Sequence, residues 1–86
     1  MSIKFSQAID FINKAQKSDE GQNFREAIVL YESGVRHLLD ALEHEIKGET
    51  AREAITQKCL LYRERAEELR QNIGESESGR IAQTTV

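Results

Sequence analysis

The stretch KSDEGQNFRE (17–26) carries a full stop-and-start signal for a helix. Gly21 has no Cβ, so it is expected to take the left-handed conformation that ends a helix. Asn23 suits the N-cap of a following helix, with Glu26 at the capping-box position three residues on. Working outward, IKGETARE (46–53) repeats the signal: Lys47 in a last turn, Gly48 as the stop, and Thr50-x-x-Glu53 as a second capping box. Two breaks predict three helices, at about 3–19, 24–47 and 51–73. Short connections make neighbours antiparallel, so the expected architecture is an all-α, antiparallel three-helix bundle over residues 1–73.

Apolar spacing supports that division. Phe5, Ala8, Ile9, Ile12 and Ala15 recur at three and four residues, with Phe11 beside them. In the second helix Phe24, Ala27, Ile28, Tyr31, Val35, Leu38, Leu42 and Ile46 do the same, with Leu39 as an extra. The third carries Ala51, Ile55, Cys59, Tyr62, Ala66, Leu69 and Ile73. Gly34 interrupts the second helix at a propensity cost of up to about 1 kcal/mol. Either a close helix–helix approach or a merely tolerated glycine accounts for it. From Gly74 the sequence GESESGRIAQTTV loses its apolar period, so 74–86 reads as a disordered tail or linker.

Composition narrows the function classes. The 86 residues contain no proline and no tryptophan, 31% are charged, and the net charge is −3. A chain this short buries roughly 60% of its unfolded surface, leaving little room for an internal active site. Nucleic-acid binding calls for a clustered basic face, whereas residues 49–73 hold five basic and five acidic side chains. The single cysteine, Cys59, rules out an internal disulfide and a Cys-based zinc site, and a lone thiol suits a reducing cytosol. The N-terminus lacks the apolar run of a signal peptide, and no segment approaches the ~20 apolar residues of a membrane span.

No motif points to an enzyme or a cofactor. His37, Asp40 and His44 share one helix face at metal-ligand spacing, but two histidines on a solvated face fall short of a ligand set. Cys59 lies on the core stripe and reads as a buried structural thiol. Thr84-Thr85-Val86 matches the carboxyl terminus that PDZ domains capture, a short and common pattern.

The informative surplus is KCLLYRERAEELR (58–70). At 100° per residue, Cys59, Tyr62, Ala66 and Leu69 face inward. Leu60 falls on one flank with Thr56, Arg63, Glu64 and Glu67. Leu61 falls on the other with Arg65 and Glu68. Each flank borders a groove shared with one neighbour, where a partner segment can lie. The alternative is that the two leucines merely widen the core edge.

The segments NFREAIVLYESGVRHLLDAL (23–42) and REAITQKCLLYRERAEEL (52–69) resemble the MIT (microtubule-interacting and trafficking) domain. The marks are Asn23-Phe24, Leu30-Tyr31, Gly34-Val35, Leu38-Leu39, Ala41-Leu42, Lys58, Tyr62 and above all Arg65-Ala66-Glu67-x-Leu69. The likeness covers about residues 5–73 and is similar to the subgroup at the N-terminus of the vacuolar-sorting AAA ATPase that disassembles ESCRT-III. The resemblance implies a monomeric, cytoplasmic adaptor without cofactor that is recruited to endosomal membranes by the C-terminal tails of ESCRT-III subunits. One tail motif, an amphipathic helix, would lie between the second and third helices on Leu39, Glu43, Thr56, Leu60, Arg63, Glu64 and Glu67. Another, extended and proline-containing, would lie between the first and third, near Phe11, Ala15, Leu61 and Glu68. Arg63 departs from the subgroup's pattern, which has an apolar residue there. Other readings are a structural bundle that self-associates or caps a larger helical array, and a recruiting piece of a larger ATPase, kinase or protease.

Overall fold

A computed structural model describes the backbone of residues 3–85 and the side chains of residues 3–74. It contains three helices, α1 (Ile3–Glu20), α2 (Phe24–His44) and α3 (Glu49–Thr85). The side chains of the expected linker lie outside the described residues from Glu75 on, and with them the Thr84-Thr85-Val86 terminus.

Both breaks fall where expected, but the residues that close them differ in part from those expected. At the first, Asn23 N–H donates to the Ser18 carbonyl at 2.8 Å and Gln22 N–H to that of Asp19 at 3.0 Å. This is the paired Schellman closure, and the left-handed residue in it is Gln22, at φ 64°, not Gly21. Gly21 sits one position too early to relieve the strain. The Asn23 side chain donates to Glu26 Oε2 at 2.6 Å, so this pair closes side chain to side chain without capping the backbone.

At the second break Gly48 is left-handed, at φ 93°. α3 starts at Glu49, so Thr50 already lies within the first turn and the expected Thr50-x-x-Glu53 box is not the cap. Arg52 does the closing instead. Its Nη1 donates to the carbonyls of Leu42 and, at 3.0 Å, Ile46, which the end of α2 leaves without helical partners.

Cross-links at both ends establish the up-down-up course. Lys4 at the start of α1 pairs with Asp40 near the end of α2 at 2.8 Å. Glu45 accepts the backbone N–H of Lys4 at 3.1 Å and of Phe5 at 3.3 Å, placing a carboxylate on the positive end of α1. Arg70, well along α3, meets Glu32 in the first half of α2.

The core forms two layers. Ile12, Ala15, Ala27, Ile28, Tyr31, Ala66 and Leu69 make one; Ala8, Val35, Leu38, Leu42, Ile55 and Cys59 make the other; Tyr62 packs against both. Leu38 and Leu69 are the largest side chains buried essentially completely. Ala51, expected on the stripe, is exposed. Gly34 marks a close approach: a methyl group there would strike Cδ1 of Ile12, lie 2.8 Å from its Cγ1 and 3.4 Å from the Ala8 carbonyl oxygen. Between α1 and α3 no pair of Cα atoms comes within 8 Å among the described residues.

Candidate functional site

The run 58–70 divides into three directions. Cys59, Ala66 and Leu69 are buried and Tyr62 is half-buried, its ring 6.0 Å from that of Tyr31. Burial pushes the Cys59 thiol up, so it is held as a neutral apolar group. Leu60 and Leu61 keep 54% and 58% of their surface, too much for a core edge.

Leu60 lines a groove of about 720 Å³ between α2 and α3. Val35 and Ala66 also line it, and Arg63, Glu64 and Glu67 come from α3. Glu32 and Arg36 line it from α2; neither stood out in the sequence, because both occupy a solvent-facing line with no apolar period. Leu39 and Glu43 lie in an adjoining depression of about 330 Å³, which shares Arg36 with the groove. Thr56 turns its hydroxyl onto the Arg52 carbonyl at 2.8 Å and is not part of the lining.

The groove's charges are unevenly committed. Both oxygens of Glu32 accept from Arg70, at 2.9 Å from Nε and 2.7 Å from Nη2. This hydrogen bonding holds the Glu32 carboxyl below its usual range. Arg36 and Arg63 make no ion pair among the described residues, and neither do Glu64 and Glu67.

The residues expected between α1 and α3 are not brought together. Phe11 turns to the α1–α2 seam and sets its ring 4.9 Å from that of His37. Ala15 is fully buried. Leu61 stays exposed, and Glu68 accepts from Arg65 Nη1. Phe11 and Ile12 both meet α2, Phe11 at His37 and Ile12 at Gly34.

Besides the shared apolar layer, a polar clamp joins α1 to α3. Arg65 donates from Nε to Asp19 Oδ2 and from Nη2 to Oδ1, both at 2.7 Å, and the Tyr31 hydroxyl donates to Oδ2 at 2.9 Å. The Arg65 guanidinium draws the Asp19 carboxyl below its usual range, while burial and then Asp19 push Tyr31 up to about 12. The clamp spans 46 residues of sequence, so no local signal revealed it. It closes over a depression of about 450 Å³ lined by Gln16, Asp19, Glu20, Tyr31 and Arg65.

Of His37, Asp40 and His44, the structure brings Asp40 and His44 together and leaves His37 apart. His37 directs Nδ1 to the Ser33 carbonyl at 2.8 Å. Asp40, Glu43 and His44 bring potential ligand atoms within 4.8 Å of one another, but Lys4 bonds Asp40 and holds its carboxyl low. No helix among the described residues is long and apolar enough to cross a membrane.

With this geometry in place, comparison with known proteins is informative. The model of the MIT (microtubule interacting and transport) domain matches residues 5–71. The Arabidopsis thaliana protein SUPPRESSOR OF K(+) TRANSPORT GROWTH DEFECT 1 is 38% identical over 73 residues, covering 85% of this chain and 17% of that protein. Vacuolar protein sorting-associated protein 4B from Mus musculus is 35% identical over 76 residues, covering 88% and 17%. Its counterpart from Pongo abelii is 33% identical over the same length and shares. The chain spans about 17% of the length of these curated relatives.

Proposed function

The chain belongs to the MIT domain family, and from that premise we propose that it is a docking module that binds C-terminal tails of ESCRT-III subunits and so recruits its host protein to endosomal membranes. One observation carries the reading: an open groove between α2 and α3 with Leu60 exposed at its side, Val35 and Ala66 in its lining, and charged side chains around them. That combination suits an amphipathic helix, whose leucines enter while its polar flank meets the rim. Leu60 and Leu39 receive apolar anchors; Glu64 and Glu67 meet basic residues of the partner. An extended, proline-containing tail has less to hold it on the α1–α3 side, where Phe11 has turned away and the Arg65–Asp19 clamp spans the helices.

The bundle acts as a single cytoplasmic copy and performs no chemistry. A groove of this kind supports affinity in the micromolar range or weaker, about −8 kcal/mol or less in magnitude. Display of many tails on a polymer supplies the rest through avidity. Titration of isotope-labelled chain with ESCRT-III tail peptides tests the reading: amide shifts are expected along Val35, Leu60 and Ala66. If no tail perturbs either groove, the function fails.

A further inference from the structure

The groove's lining holds a feature that leucine anchors leave unused. Arg36 from α2 and Arg63 from α3 both line it, and neither makes an ion pair among the described residues, although Arg36 is near enough to help hold the Glu32 carboxyl low. The carboxylate on the α2 wall, Glu32, has both oxygens occupied by Arg70. Arg63 thus has no cross-groove acid to fold onto. Beside Val35, Ala66 and Leu60 the stems of the two arginines add apolar surface, while their heads offer donors in a planar fork. A helix laid over them brings its own charge close and displaces water, which strengthens any pairing it makes.

We propose that Arg36 and Arg63 are specificity-determining residues, and that the partner helix of this groove carries a carboxylate between its leucine anchors to bridge them. This rests on the tail-binding reading above, in which Glu64 and Glu67 already meet basic residues, and adds to it an acid over the two arginines. A partner with a lysine over the arginines meets like charge, which excludes it.

The test uses a panel of ESCRT-III tail peptides, each in native form and with the acidic residues of its leucine-rich segment changed to Gln. Each is titrated into the labelled chain and into its R63E and R36E variants, with helical content checked by circular dichroism. Peptides that shift Leu60 and Ala66 are expected to weaken about fivefold or more when made Gln, with a slope against salt that the Gln forms lose. R63E should reproduce that loss with native peptides and restore binding when their acids are replaced by Lys. Tails that bind at Leu60 equally well as native and Gln forms overturn the inference and leave the docking function standing. Absence of any shift in either groove removes both.

Discussion

Along one side, α2 presents Gly34 and Ala27 to Ile12 and Ala15 of α1; along the other, it presents Glu32, Val35 and Arg36 to Leu60, Arg63 and Glu67 of α3. On the first side a single added methyl group finds no space. On the second the helices leave a groove of about 720 Å³. The same helix makes both seams, so propensity does not explain the difference. Side-chain size does: small residues let backbones close and turn the contact into stability, whereas long polar residues hold them apart and leave surface for a partner.

The largest effect expected on this contrast comes from the layer that joins all three helices. Leu69→Ala should cost about 2–5 kcal/mol in urea unfolding, since it empties a fully buried site between α3 and the α1–α2 pair. A loss near zero would mean that α3 is not keyed to the other helices at all. Next, Gly34→Ala should destabilise by about 1–3 kcal/mol by crowding Ile12, although alanine improves helix propensity by about 1 kcal/mol. A stabilised Gly34→Ala variant would show the tight seam to be loose, and the contrast would disappear.

A smaller effect comes from the clamp. Asp19→Asn should cost about 1–2 kcal/mol at neutral pH, a modest figure because the Arg65 end is solvent-facing. The native Asp19 carboxyl titrates below its ordinary value of 3.8, so it binds fewer protons than in the unfolded chain. Its stabilisation is present above about pH 4 and is lost as pH falls through the lowered native value. Thermal melts between pH 5 and 2 should therefore fall less steeply for Asp19→Asn than for the parent. The smallest effect is favourable: Gln22→Gly should stabilise by about 0.5–1 kcal/mol by relieving the left-handed backbone at the first break.

These sites also show what could be read from sequence. The three helices were legible because local signals set them: apolar spacing marks the buried stripes, and Gly21-x-Asn23 and Gly48 mark the breaks. Which residue would be left-handed at the first break was not, because Gly21 and Gln22 are neighbours and the Schellman bonds choose between them. Gly34 stayed open between two explanations until Ile12 was seen against it. The flank of Leu60, Arg63, Glu64 and Glu67 could be drawn from one helix alone, since a groove wall is a property of phase. Its other wall, Glu32 and Arg36, and the Asp19–Arg65 clamp depend on how helices meet, which no single-helix period encodes. Phe11 meets His37 across the α1–α2 seam, a contact that no period within α1 encodes.

The contrast between a closed seam and an open groove is tested most directly at Leu60, 54% exposed beside the groove. Leu60→Asp should leave the helical circular dichroism spectrum and unfolding midpoint within error of the parent, while abolishing amide shifts on titration with helical ESCRT-III tails. Loss of folding would place Leu60 in the core, and undiminished binding would place the docking surface elsewhere; either result contradicts the account.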